Sequence, residues 1–123
     1  MPFVNYMLSS KVTEEMSVRL KRATAELIQR HAGKEERWLL VRCAGDQLFH
    51  FKGSRVQNGG VVEVKLVGTL KAAIKREIVR GITAILAKEL KAQADSLYVI
   101  FTKEKVKTGA GTTIHSDEPQ TLG

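Results

Sequence analysis

The alternation of apolar and polar positions changes period several times along the chain, and each change marks an element. Residues 2 to 8 (Pro-Phe-Val-Asn-Tyr-Met-Leu) read as a strand closed by the polar turn Ser9-Ser10-Lys11. Met16, Leu20, Ala23 and Leu27 then recur at helical spacing. Thr13 is placed to cap that helix, Glu14 and Glu15 fall in its first turn where carboxylates suit the helix dipole, and Gly33 is its natural stop. Residues 37 to 43 predict an apolar strand and Gln47 to Phe51 a shorter one. The segment from Lys52 to Gly60, marked by Gly53, Asn58, Gly59 and Gly60, reads as a loop. From Val61 the plan returns, with a strand at 61 to 67, a helix from about Leu70 to Ala92 and a strand at 96 to 102.

The return is a repeat. Trp38 to Cys43 lie over Leu97 to Thr102 at an offset of 59 residues, and the same offset carries Leu8 onto Val67, Leu20 onto Val79, Ala23 onto Ile82 and Leu27 onto Leu86. Two β-α-β units are therefore expected, about 2–43 and about 61–102, with a variable tail at 103–123, all in one domain of 123 residues. Each unit should hold parallel strands with a right-handed crossover, which puts both helices on the same face of one four-stranded mixed sheet, an α+β architecture. Runs such as Trp38-Leu39-Leu40-Val41 and Leu97-Tyr98-Val99-Ile100-Phe101 are apolar at consecutive positions, the pattern of strands buried on both faces. Two helices cover only one face. Copies of the same chain are the economical cover for the other, so a symmetric oligomer is expected.

Composition narrows the function classes. With 43% hydrophobic and 27% charged residues the chain should build an ordinary folded core. No stretch approaches the ~20 apolar residues of a membrane span, and no basic region followed by an apolar run opens the chain, so a cytoplasmic protein is expected. Cys43 is the single cysteine and lies in an apolar run, which rules out an intrachain disulfide and reads as a structural thiol. The net charge of +7 raises the question of nucleic acid. Its distribution argues against that partner: the Lys and Arg residues of both helices are interspersed with Glu, as on solvated faces, and the 6% of aromatic residues do not alternate with them. The charge suits small anionic substrates.

Met1-Pro2 is the first sign of chemistry. Removal of Met1 would leave a free secondary amine on Pro2. An α-amino group has a pKa of about 7.7–8.0, and burial among apolar groups lowers it toward neutrality, where it can serve as a general base. The histidines offer no competing site, since His31, His50 and His115 lack metal-ligand spacing to one another, to Cys43 or to a carboxylate. No glycine-rich phosphate loop is present. Neither a metal nor a cofactor is expected.

Several segments taken together resemble the macrophage migration inhibitory factor and D-dopachrome tautomerase family in order and spacing. They are Met1-Pro2-Phe3-Val4-Asn5, Ala32-Gly33-Lys34, Asp46-Gln47-Leu48-Phe49-His50-Phe51-Lys52-Gly53-Ser54, Val62-Glu63-Val64-Lys65-Leu66-Val67-Gly68 and Tyr98. The resemblance covers residues 2 to 101 and implies a homotrimer of β-α-β repeats with active sites at the subunit interfaces. By position it implies that Pro2 is the catalytic base and that Lys34 binds the carboxylate or carbonyl oxygen of the substrate. The backbone N–H of Val67 would point into the site, with Trp38 and Tyr98 as aromatic pocket residues. The activity implied is a keto–enol tautomerase of small carboxylated carbonyl compounds such as phenylpyruvate, without metal or cofactor. Two alternatives stand beside it: an amino-terminal-proline isomerase acting on a dicarboxylate, and a cytokine-like protein that leaves the cell without a signal peptide and acts through a receptor. Taken singly, Lys34 also fits an exposed residue at a helix end, and Trp38, Val67 and Tyr98 fit packing positions.

The chain departs from the family pattern in three places. Glu35 and Glu36 follow Lys34 where the family has proline after its glycine-lysine pair, and these carboxylates could lower the local positive potential. The cysteine pair of the family's central loop is missing, so a thiol oxidoreductase activity has no support. Lys103 to Gly123 holds no counterpart of the aromatic and Asn-rich segment that helps wall the family's pocket.

Overall fold

In the computed structural model, which describes residues 2–106, 114–116 and 120–121, local signals are obeyed first. Strand β1 (Phe3–Leu8) leads to helix α1 (Glu14–Ala32), whose start is fixed by the Thr13 side chain accepting a hydrogen bond from the Met16 N–H at 3.2 Å. The helix ends at Gly33 in a left-handed conformation (φ 67°), where the Gly33 N–H donates to the Gln29 carbonyl. A 3-10 turn at Glu36–Trp38 precedes β2 (Leu40–Ala44), so Trp38 stands before that strand and not within it. The central segment folds into a hairpin of β3 (His50–Phe51) and β4 (Ser54–Arg55), closed by Lys52 and Gly53, both at positive φ. Strand β5 (Gly60–Val67), helix α2 (Ala72–Leu90) and strand β6 (Leu97–Val106) complete the second unit.

The sheet runs β2-β1-β5-β6, with β1/β2 and β5/β6 parallel and β1/β5 antiparallel. Both units have the same register. Phe3 faces Leu40 in the first and Val62 faces Val99 in the second, so the offset of 59 holds strand for strand. The helices follow a different offset. α1 begins at Glu14 and α2 at Ala72, and the buried Leu20, Thr24 and Ile28 of α1 correspond to Ile78, Ile82 and Leu86 of α2, 58 residues on. The expected pairing of Leu20 with Val79 is thus corrected by one residue. The connection from β1 to α1 is one residue longer than that from β5 to α2, and between register-equivalent positions the stretch from Ala32 to Leu40 is one residue shorter than that from Leu90 to Val99.

Past the fourth strand, the tail adds β7 (Ile114–Ser116) and β8 (Gln120–Thr121), both antiparallel to β6. Sequence pattern did not announce these short strands. They occupy the edge of β6 that the four-stranded plan leaves open.

Both helices pack on one face. Val4, Tyr6 and Leu8 of β1, Val62, Val64 and Leu66 of β5, and Leu97, Val99 and Phe101 of β6 form one core with Leu20, Ile28, Ile78, Ile82 and Leu86. The Tyr6 hydroxyl, buried in this layer, shares a 2.6 Å hydrogen bond with the Thr24 hydroxyl, which satisfies both groups. Burial pushes the Tyr6 phenol well above its ordinary pKa, and the Thr24 hydrogen bond offsets this only in part. The helices run antiparallel, tied by Arg19 Nε to Glu89 Oε2 at 2.7 Å, and at their crossing a side chain at Gly81 would collide with Leu27.

On the opposite face, Phe3, Met7, Val61, Tyr98 and Ile100 are half-buried and Leu40 is 51% exposed. Across it runs a polar rung: Arg42 Nη1 donates to Asn5 Oδ1, and Asn5 Nδ2 donates to Glu63 Oε1, each at 3.1 Å. The apolar runs of β5 and β6 therefore serve two faces, as their patterning predicts, but one chain encloses only the helical side.

The two helices treat their dipoles differently. α1 has Glu14 and Glu15 at its start and Arg30 and His31 at its end. α2 has Lys71 at the N-cap with no side-chain hydrogen bond and no acid in its first turn. Lys71→Asp is therefore expected to stabilise the protein by about 1 kcal/mol, because it supplies both a capping acceptor and a favourable charge. Urea unfolding followed by circular dichroism measures it.

Candidate functional site

Pro2 is buried at the entrance to β1, and its carbonyl accepts the Leu40 N–H at 3.0 Å. Phe3 pairs with Leu40 on one side and with Lys65 on the other, so Pro2 stands between the start of β2 and the end of β5, where Leu66 and Val67 lie. Helix α1 runs back along the sheet and delivers Lys34 and Trp38 to the same end, since both precede β2. Four of the five sequence-predicted residues, Pro2, Lys34, Trp38 and Val67, are thus gathered at one end of the sheet by strand order and crossover direction.

Lys34 is half-buried, directly after the Gly33 cap. The two carboxylates that follow it are engaged elsewhere: Glu35 Oε2 lies 3.0 Å from Arg37 Nε, and Glu36 Oε2 lies 3.8 Å from Lys21 Nζ. Their pairing limits the loss of positive potential beside Lys34 that the sequence suggested. Trp38 is 56% exposed, with the Arg37 guanidinium 5.0 Å from its ring centroid.

Tyr98 is elsewhere. It pairs with Val61, which pairs with Met7, five residues along β1 from Pro2. At a strand rise of 3.2–3.4 Å per residue this is a separation of roughly 16 Å along the sheet. The Tyr98 ring packs edge-on against Phe51, with centroids 5.3 Å apart and planes at 86°. Phe49, Phe51, Val56, Val61, Ser96 and Tyr98 line an apolar cavity of about 180 Å³ between the β3–β4 hairpin and the sheet. One chain therefore presents a Pro2 end and a Tyr98 end, and does not join them.

Two cations near Pro2 escaped the sequence reading. Arg37 is set over Trp38, and Lys65 carries its Nζ 6.0 Å from the centroid of the Phe3 ring. Lys65 could have been found from its place two residues before Val67 on the same strand face, but only with the β1/β5 register in hand. Cys43, half-buried on β2, has its thiol pKa pushed up by burial, which keeps it protonated and a poor nucleophile. Among the described residues no cluster of three His, Cys, Asp or Glu could hold a metal ion, and no helix is long and apolar enough to cross a membrane.

Comparison with known proteins agrees with this architecture. Residues 1–114 match the family described as macrophage migration inhibitory factor (MIF). Among solved structures, MIF2 of Leishmania major superposes with a TM-score of 0.81 at 22% identity, covering 91% of this chain and 96% of that one. The macrophage migration inhibitory factor of Toxoplasma gondii gives 0.75 at 16% identity, covering 91% and 98%. A macrophage migration inhibitory factor homologue from Prochlorococcus marinus gives 0.72 at 21%, covering 80% and 85%. At such identities the likeness is one of fold, and no curated protein matches the sequence. With the family match spanning nearly the whole chain and the two-unit sheet shared with these structures, the chain belongs to the macrophage migration inhibitory factor family.

Proposed function

We propose that this chain is a keto–enol tautomerase of small carboxylated carbonyl compounds such as phenylpyruvate, with Pro2 as its base once Met1 is removed. The observation that carries this reading is the burial of Pro2 at the end of the sheet to which Lys34 and Trp38 are also delivered. Burial supports a lowered amine pKa, so that a neutral nitrogen is available near neutral pH. That nitrogen removes a proton from the carbon beside the substrate carbonyl. The electron pair moves into a carbon–carbon double bond as the carbonyl oxygen becomes an enolate, Lys34 and the Val67 backbone N–H stabilise the oxygen, and a proton is returned to it to give the enol. In the reverse direction Pro2 delivers its proton to carbon.

Trp38 lines the substrate's path, and Tyr98 completes the site from a second copy. The roughly 16 Å between Tyr98 and Pro2 within one chain supports that assignment, as does the half-covered face opposite the helices. A homotrimer would place the Tyr98 end of one copy against the Pro2 end of the next, and sedimentation at micromolar concentration tests this. A stable monomer would overturn it.

The test of the activity is a phenylpyruvate tautomerisation assay on protein whose mature N-terminus has been read by mass spectrometry. Lys34→Ala is expected to lower kcat/KM about 10²–10³-fold by removing charge from the developing enolate while leaving the base in place. Activity at the wild-type level would remove Lys34 from the mechanism. A second reading, an amino-terminal-proline isomerase of dicarboxylates, is favoured by the cations Arg37, which would exchange its Glu35 partner for a second carboxylate, and Lys65 beside Phe3. A panel of mono- and dicarboxylated enols separates the two.

A further inference from the structure

We propose that the outward face of α2 binds a linear sulfated polysaccharide through Arg76, Arg80, Lys88 and Lys91. All four side chains are exposed. Ala73, Arg76, Arg80, Ala84, Ala87 and Lys91 succeed one another at intervals of three and four residues, opposite the buried Ile78, Ile82 and Leu86, and so form one straight row, with Lys88 on its flank. At 1.5 Å per residue the row is roughly 27 Å long. Between its cations stand only alanines, so an extended polyanion can approach the helix closely.

The charge of this face is not balanced locally. Residues 71–91 contain six Lys and Arg and two Glu; Glu77 pairs with Arg80 within this face at 2.9 Å and Glu89 is taken by Arg19 of α1 at 2.7 Å, which leaves the face an excess of positive charge. Arg76, Lys88 and Lys91 make no ion pair among the described residues. α1 is different, with four Lys and Arg against three Glu in Glu14–Ala32, two of them, Glu14 and Glu15, in its first turn. In a fold that otherwise repeats itself, α2 thus departs from the charge pattern that best supports a helix. Such departures from local preference fall at functional positions more readily than at random ones.

The same face narrows the class of polyanion. Neither helix carries a Phe, Tyr or Trp, and α2 has no aromatic ring at all on which unpaired bases could stack. The apolar residues exposed on α2 are alanines, too small to enter a bilayer. What remains is a row of point charges and forked guanidinium groups, suited to sulfate groups spaced along a flexible hydrophilic chain and held largely by counterion release.

The test titrates the full chain with heparin, a single-stranded oligonucleotide and phosphatidylserine-containing vesicles at the same ionic strengths. Heparin is expected to bind most tightly, with affinity falling as salt rises. Arg76→Ala/Arg80→Ala/Lys88→Ala should weaken it by about tenfold or more at near-physiological salt through fewer counterions released, with unchanged far-ultraviolet circular dichroism. The matched α1 variant Arg22→Ala/Arg30→Ala should retain most of the binding. A single exchange, Arg76→Ala, gives a smaller loss in the same direction should the triple variant fold poorly. Equal losses from the two helices, tighter binding of the oligonucleotide or the vesicles, or no heparin binding at physiological salt would each overturn the proposal.

Discussion

Insertion of one alanine between Met1 and Pro2 is expected to abolish tautomerase activity while leaving the fold and its assembly intact. The insertion converts the Pro2 nitrogen into a tertiary amide, which has no proton to give and no basicity to accept one. A positioned general base contributes about 10²–10⁴-fold, so the rate should fall by at least that factor, toward the solution rate of enolisation. The chain tolerates the change structurally because the Pro2 carbonyl, not its nitrogen, makes the hydrogen bond to Leu40 that secures β1 to β2. Pro2→Gly provides the graded comparison: an amine remains, but the ring that fixes its direction is lost, and partial activity is expected. An unaltered rate after insertion, with the extra residue verified by mass spectrometry, would remove the foundation of the enzymatic reading.

The largest expected effect on stability is that of Gly60→Ala. Gly60 opens β5 at φ 151°, faces Leu8 across the antiparallel pair and Leu97 across the parallel one, and approaches β1 so closely that a Cβ would strike the Met7 carbonyl and lie 2.9 Å from the Leu8 Cα. Both obstacles are backbone, so no rotamer change relieves the collision. Unfavourable φ and overpacking together should cost about 2–5 kcal/mol, a large share of the ~5–15 kcal/mol that holds a domain folded. Thermal unfolding should show the midpoint lowered by roughly 10–20 °C. Gly53→Ala is the control. Gly53 also has positive φ (78°), but a Cβ there meets nothing within 4 Å, so its cost should be near 1 kcal/mol, that of backbone strain alone. Equal destabilisation by the two substitutions would show that close approach of β1 and β5 is unimportant.

The paired Glu35 and Glu36 bear on the site's electrostatics. Read along the chain, two acids beside Lys34 suggest a weakened cation. In three dimensions a 3-10 turn carries them toward Arg37 and Lys21, and this chain's departure from the family's proline costs the Lys34 environment less charge than it first implies.

What the sequence alone determined was whatever depends on near neighbours. The capping of α1 by Thr13 and its termination at Gly33 were legible because each is a bond within four residues of the helix end. The strands of both units were legible because runs such as Leu97 to Phe101 leave no choice of exposed face, and the offset of 59 between them returned as an identical register in β1/β2 and β5/β6. The parallel return of β2 beside β1 then carried Lys34 and Trp38 to the Pro2 end. Helix phase was decided only by packing, for a shift of one residue between α1 and α2 is absorbed by loop lengths and leaves the apolar pattern of each helix intact. The tail strands β7 and β8 owe their existence to the free edge of β6, not to any periodicity of their own. The place of Tyr98 was likewise beyond one-dimensional reading. Its distance from Pro2 follows from the antiparallel pairing of β1 with β5, a contact between residues some sixty positions apart that no local preference encodes.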